Sequence, residues 1–265
     1  MRHSTYARRA SDLWVFFGLA CAMTWALDLP MTLAFVRHAE PPAYALPMAG
    51  LGAWGPTLAA VLLAARRGEA RALFGPWRTA PAWVALALAL PLLVHLPATA
   101  IEVALGGEPA QWFYPPVKAE HVAGLVVFSI GEEFGWRGYA YPRAAQRYGP
   151  VVGSLIVGAV WGVWHLFMMV TPEGVLPSPL LVGKFVVELA LWSVVIAWVF
   201  ERGGRSMAVA IAIHAGGHLD NVTRAPLDEW RLQALRLAML CVAAALAGRA
   251  LTRHPRFKAG RGSAS

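Results

Sequence analysis

Long apolar runs separated by short polar segments dominate the chain. A helix needs roughly 20 apolar residues to cross a hydrocarbon core about 30 Å thick, and five runs approach that length: 13–35, 46–65, 82–105, 151–170 and 180–200. Three weaker runs are shortened or interrupted by polar residues, at 121 to about 141, 206–219 and about 232–251. The pattern predicts an all-α, polytopic membrane protein with about eight transmembrane helices and a polar site inside the membrane.

Composition and charge support this prediction. Hydrophobic residues make up 58% of the 265 residues and charged residues only 14%, whereas about a quarter of a soluble domain is charged. Most of the 23 Lys and Arg residues fall in alternate loops, as expected where short cytoplasmic loops collect positive charge. This distribution predicts a multi-pass protein of the plasma (inner) membrane with both termini in the cytoplasm. It also explains the net charge of +8 without a nucleic-acid partner.

The organisation predicted from these runs is simple. Residues 1–252 form a single membrane domain, and residues 253–265 form a mobile basic tail. We find no repeat of fixed period and no appended soluble domain.

Polar residues within the apolar runs carry the candidate chemistry, because ionisable groups at membrane depth are costly and usually functional. The first group is GEEFGWRGY, residues 131–139. On a helix, Glu133 lies one turn before Arg137 and should pair with it, while Glu132 is rotated by about 100°. A carboxylate in a poorly hydrated cavity suits a general base that takes a proton from water, and Glu132 is the candidate. The alternative is that both glutamates are structural, bonded to amides at the helix end.

Two further groups carry histidines. Trp161 and His165 in WGVWHLF are four residues apart, so the indole and the imidazole should stack along one helix face. His214, His218 and Asn221 in IAIHAGGHLDN follow the spacing i, i+4, i+7 and share one stripe. The small residues between the two histidines leave room for another backbone or for a substrate. The alternatives are a core histidine and ordinary small-residue packing.

Together these groups suit peptide hydrolysis. A carboxylate near an imidazole can activate water, and further imidazole or amide donors can hold the oxyanion of a tetrahedral intermediate. The sequence order EEFGWR, WGVWH and HAGGH resembles that of the CPBP group of intramembrane proteases, which includes the CAAX prenyl protease 2 type and lysostaphin-resistance-protein-A-like proteins. The Gly55–Pro56 pair is similar as well, and the motif-bearing core covers about 122–221.

The resemblance implies roles for individual residues. Glu132 would activate the attacking water with His165 as its partner, and His214 together with His218 would stabilise the oxyanion. The residues implied or expected to support this site are Glu133, Arg137, Trp161 and Asn221.

The chain departs from the family pattern at two positions. The second motif usually begins with Phe but here begins with Trp161, and the third usually ends in Asn or Asp but here ends in His218. Either His218 donates the hydrogen bond in place of the amide, or Asn221 reaches in from the same stripe.

A zinc site is the third possibility for these histidines. His214 and His218 have the spacing of a zinc-binding helix, and His165 or Glu132 could complete three protein ligands. The family has been described both as metalloproteases and as metal-independent glutamate proteases. Because the acidic motif already supplies a base, the interpretation favours hydrolysis without a cofactor, with zinc as the alternative.

The sequence therefore predicts an intramembrane endopeptidase whose partners are the lipid bilayer and a membrane-anchored peptide or protein substrate. A small transporter would also bury Glu and His, but such folds usually show internal symmetry, and none is evident. A non-catalytic membrane scaffold or immunity protein is the more serious rival.

Overall fold

The computed structural model describes residues 2–108, 119–219 and 230–258, with side chains in 12–108, 122–219 and 230–257. These residues are helical wherever they have regular structure. A π-helical stretch, Phe134–Ala140, and a 3₁₀ stretch, His165–Met169, interrupt the α-helices. The α-helices, numbered in chain order, are α1 Arg2–Val36, α2 Ala45–Gly52, α3 Gly55–Ala65, α4 Ala70–Leu73, α5 Pro81–Ala104, α6 Ala119–Glu133, α7 Tyr141–Tyr148, α8 Pro150–Trp164, α9 Pro179–Arg202, α10 Met207–Leu219, α11 Trp230–Thr252 and α12 Pro255–Lys258.

Five helical segments in the described part of the chain are long and apolar enough to cross a membrane, and a sixth span results if the bent pair α2 and α3 counts as one. The five are Asp12–Val36, Pro81–Ala104, Pro150–Met169, Pro179–Arg202 and Trp230–Thr252. The prediction of an all-α, multi-pass membrane protein is thereby confirmed, whereas the count of eight is not confirmed. The identity of the membrane and the cytoplasmic position of the termini stay predictions.

The difference in count comes from two of the weaker runs. The run 206–219 forms α10, whose 13 described residues fall short of the roughly 20 needed to span the hydrocarbon core. The run 121–141 is divided between α6, which ends at Glu133, and the π-helical stretch that follows. A run of apolar residues in the sequence does not show where an α-helix changes to a π-helix.

The chain divides into two compact units. The first contains residues 1–75 and 130–193, and the second contains 76–129 and 194–265. The single membrane domain stays a prediction. The mobile tail also stays a prediction. Its residues 255–258 form α12, and residues 259–265 lie outside the described residues.

The first unit contains a bend of 54° between α2 and α3. Its cause can be read from the chain, because Pro56 has no N–H to donate to the carbonyl of Gly52, four residues before it. The Thr24 hydroxyl of α1 donates to that carbonyl instead, at 2.7 Å. Thr24 in turn accepts a hydrogen bond of 2.8 Å from the indole of Trp164. Thus Thr24 of α1 supplies the hydrogen bond that the Gly52 carbonyl lacks at the helix break, and it also binds Trp164 at the end of α8.

The second unit places α10 directly against α5. A Cβ added at Gly216 would collide with the backbone carbonyl of Leu88, so the two backbones approach as closely as glycine allows. The start of α10 is anchored by the Met207 N–H, which donates to the Pro76 carbonyl at 2.8 Å. Near the C-terminal end of α5, Glu102 forms an ion pair with Arg231 of α11.

Candidate active site

The acidic motif lies where α6 passes into the π-helical stretch. π-Helical turns are rare and are frequent at functional sites. Here the stretch packs closely on α3, since a Cβ added at Gly135 would lie 2.5 Å from the backbone carbonyl carbon of Pro56. Only glycine permits this approach. As a result Glu132, Glu133 and Arg137 are all buried, with 5%, 0% and 2% of their surface exposed.

Glu133 and Arg137 form the ion pair that their spacing predicts. Arg137 Nη1 donates to Glu133 Oε1 at 2.8 Å, and Arg137 Nη2 donates to the Ser193 hydroxyl of α9 at 3.2 Å. A buried guanidinium requires such partners, because an isolated charge in an apolar interior is strongly disfavoured. The pair thus links α6, the π-helical stretch and α9.

Glu132 is held by two tryptophans. The indole of Trp161 on α8 donates to Glu132 Oε2 at 2.6 Å, and the indole of Trp136 donates to the same oxygen at 3.3 Å. The structure therefore brings the first and second motifs together through Trp161. The Arg137 guanidinium lies over the Trp161 ring, with its Cζ 4.6 Å from the ring centroid.

His165 is the first residue of the 3₁₀ stretch at the end of α8. Its Nδ1 lies 2.8 Å from the Trp161 carbonyl oxygen. Because a carbonyl only accepts, Nδ1 carries the proton in this bond, and Nε2 holds the lone pair in the neutral ring. The rings of Trp161 and His165 are tilted by 55° at 5.8 Å, so the parallel stacking that the spacing predicts is replaced by a tilted contact. Trp164 packs edge-on to the imidazole at 4.6 Å.

His214 and His218 lie on α10 in the second unit. Their rings stack at a centroid distance of 5.2 Å and an interplanar angle of 25°, as two residues one turn apart can. His214 is buried and His218 is half-buried. Gly216 between them serves the backbone contact with Leu88, whereas a Cβ at Gly217 would meet nothing within 4 Å. Asn221 lies outside the described residues.

The predicted site residues are therefore divided between the two units. Glu132, Glu133, Arg137, Trp161 and His165 belong to the first, and His214 and His218 to the second. Within the described ranges, no three His, Cys, Asp or Glu side chains are grouped so that they could hold a metal ion. Convergence of all three motifs, their catalytic roles and metal dependence stay predictions.

The sequence analysis missed two contributors to this site. Trp136 lies four residues after Glu132, the same spacing that predicts the pair of Glu133 with Arg137, so the signal for it was present. Ser193 carried no signal, because its contact with Arg137 joins residues 56 positions apart.

The fold and this cluster define an all-α, multi-pass membrane protein with a buried acid–indole centre. The family model for Type II CAAX prenyl endopeptidase Rce1-like proteins matches residues 117–219, which contain all three motifs. A CAAX prenyl protease 2 from Methanococcus maripaludis is 25% identical over 95 residues, which are 34% of this chain. The match spans about a third of that relative, 35% of its length. These findings confirm the family resemblance.

Proposed function

We propose that this protein is an intramembrane endopeptidase that hydrolyses peptide bonds of membrane-anchored peptides or proteins with water activated by Glu132. One observation carries the proposal: two adjacent buried glutamates have different partners. Glu133 is paired with the Arg137 cation, whereas the carboxylate of Glu132 accepts hydrogen bonds from the neutral indoles of Trp136 and Trp161. The arrangement supports a structural role for Glu133 and a chemical role for Glu132.

The reaction begins with proton transfer from water to Glu132. The resulting hydroxide attacks the peptide carbonyl carbon, a C–O bond forms, and the carbonyl π electrons move to the oxygen. Collapse of the tetrahedral intermediate breaks the C–N bond, and the amine leaves with a proton from the protonated Glu132. His165 assists as the hydrogen-bonding partner of the water, through the Nε2 that its contact with Trp161 leaves as the acceptor.

His214 and His218 supply the donors that stabilise the oxyanion in this mechanism. Imidazole N–H groups aimed at a developing negative charge are effective in a poorly hydrated site. The stacking of the two rings on α10 supports their acting as a unit. His218 takes the place that the family pattern usually gives to Asn or Asp.

The decisive experiment is cleavage of internally quenched, membrane-anchored peptides by the purified, detergent-solubilised protein. The panel includes peptides that end in a CAAX sequence with a prenylated cysteine, which the name of the matched family suggests, and unmodified ones. Glu132→Gln keeps the shape of the side chain but removes the base, so we expect cleavage to fall roughly 100- to 10,000-fold. Full activity of Glu132→Gln would overturn the mechanism.

A matched control is Glu188→Gln. Glu188 lies in the same unit and pairs with Lys184 at 2.8 Å, but both side chains are partly exposed. We expect this variant to cleave at the wild-type rate. If both variants lose activity equally, the effect of Glu132→Gln reflects general loss of a carboxylate.

Chelation separates the two versions of the chemistry. Glutamate-activated water predicts that cleavage survives a chelator. Loss of activity that zinc restores would instead make His214 and His218 metal ligands. For the scaffold alternative, the readout is the cellular phenotype: a scaffold keeps it in Glu132→Gln when the variant accumulates normally.

A further inference from the structure

From the geometry around Glu132 we infer that Trp161, assisted by Trp136, is a positioning residue that orients the catalytic carboxylate through its indole N–H. The inference rests on the proposed function of Glu132. It goes beyond the aromatic packing expected of the second motif, because a phenylalanine at position 161 would provide the ring without the donor.

Both indoles bind the same oxygen from different segments of the chain. Trp161 belongs to α8 and lies 2.6 Å from Glu132 Oε2, and Trp136 belongs to the π-helical stretch and lies 3.3 Å from it. Both tryptophans are buried, with 5% and 0% of their surface exposed. Hydrogen bonds to a carboxylate are short and strong, so the bond from Trp161 is the principal restraint.

The chemistry of the donor suits this purpose. An indole is a donor only and does not titrate in the physiological range, so it cannot transfer its proton to the carboxylate. It also carries no net charge, unlike the arginine beside Glu133. Indole donors therefore fix the direction of Glu132 without adding a charge of their own.

Arg137 lies against Trp161, the principal donor to Glu132. A cation over the face of an indole is attracted to its π electrons, and it draws electron density from the ring, which strengthens the N–H as a donor. The guanidinium is itself fixed by Glu133 and Ser193. The order Glu133, Arg137, Trp161, Glu132 thus joins the supporting ion pair to the base by direct contacts within one unit.

The first test removes only the donor. Replacement of Trp161 by benzothienylalanine exchanges the N–H for sulfur and keeps the bicyclic ring. Trp161→Phe is the genetically encoded counterpart, which also shortens the ring system. The assay uses the full-length protein and a peptide that it cleaves. We expect kcat to fall roughly 10- to 100-fold, because one hydrogen bond to a charged group is lost. KM should stay within about twofold of the wild-type value. Trp136→Phe should have a smaller effect because its bond is longer.

A control variant is Trp198→Phe. The Trp198 indole N–H is buried and makes no hydrogen bond, so we expect unchanged kinetics. An unchanged kcat in the benzothienylalanine protein would overturn the inference. So would an equal fall in Trp198→Phe.

The second test needs no substrate. The indole ¹H–¹⁵N signal of Trp161 is assigned by its absence from Trp161→Phe and then followed in Glu132→Gln. We expect it to shift, because an amide oxygen accepts more weakly than a carboxylate; an unmoved signal would show that the bond is absent.

The two proposals fail differently. Full activity of Glu132→Gln would overturn the proposed function. Trp161 would then have no catalytic carboxylate to orient. An inactive Glu132→Gln beside a fully active benzothienylalanine protein would defeat the positioning inference alone.

Discussion

The acidic segment 131–139 and helix α10 place polar side chains in apolar surroundings in different ways. In the acidic segment, Glu133 and Arg137 form an ion pair, and the indoles of Trp161 and Trp136 donate to Glu132. In α10, the rings of His214 and His218 stack on each other, and the backbone at Gly216 lies against that of Leu88.

The difference follows from charge. A buried carboxylate or guanidinium requires compensation by partners of opposite charge or by strong donors. Helix α10 instead carries small residues, which let its backbone approach that of α5 closely. The acidic segment should therefore be sensitive to loss of a single partner, and α10 to added volume.

Removal of the ion pair is the largest test of this comparison. In Arg137→Met the buried Glu133 loses its cation, and we expect the free energy of unfolding to fall by about 3–5 kcal/mol. The measurement is reversible unfolding in mixed micelles with increasing denaturing detergent.

The matched control for that prediction is Lys184→Met. Lys184 and Glu188 have the same i, i+4 spacing at 2.8 Å, but their side chains are 31% and 21% exposed. A partly exposed pair of this kind contributes no more than about 1 kcal/mol. Equal losses in the two variants would show that burial does not distinguish these pairs.

The histidines of α10 provide the second test, which measures function. We expect His214→Ala to lower kcat roughly 100- to 1,000-fold, as for removal of one oxyanion donor. His218→Asn introduces a side chain that the family usually carries at this position. We expect the kcat of this variant to stay within about tenfold of the wild-type value. His254→Ala, which lies outside both regions, serves as the unaffected control. Loss of activity in His218→Asn but not in His214→Ala would show that position 218, and not His214, supplies the essential oxyanion donor.

Adjacent glycines of α10 provide the smallest and most local test. In Gly216→Ala the new Cβ meets the Leu88 backbone, so we expect a loss of about 1–3 kcal/mol of unfolding free energy from overpacking. In Gly217→Ala nothing lies within 4 Å of the new Cβ, and the higher helix propensity of alanine should stabilise by up to about 1 kcal/mol. If both variants change stability in the same direction, α10 is not packed on α5 as described.

Features that depend on neighbouring residues could be predicted from the sequence. The pair of Glu133 with Arg137 needs only helical spacing. The bend near Pro56 was not predicted, although the missing N–H of proline is a local signal for a helix break. The bond from Trp136 to Glu132 follows the same spacing as the ion pair, so it was available and was overlooked. The five spans that the described residues contain were also located from the sequence, because the length of a span is set by the thickness of the bilayer.

Features that depend on helix rotation could not be predicted. The indole of Trp161 was expected to stack on His165, but in the folded chain it donates to Glu132, 29 residues earlier. The Thr24 hydroxyl bonds to the Gly52 carbonyl across 28 residues. No spacing rule relates such positions, because the rotation of each helix depends on how all its neighbours pack.

By itself, the sequence determined the class of the protein, the chemical groups available to it and the local ion pair, because hydropathy and helical periodicity act over one segment at a time. Only the tertiary structure decided that Glu132 accepts a hydrogen bond from the indole of Trp161 and that Arg137 donates to Ser193. That outcome required α8 to present Trp161 and α9 to present Ser193 to one short stretch, and the direction in which a side chain points from a distant helix is decided by packing alone.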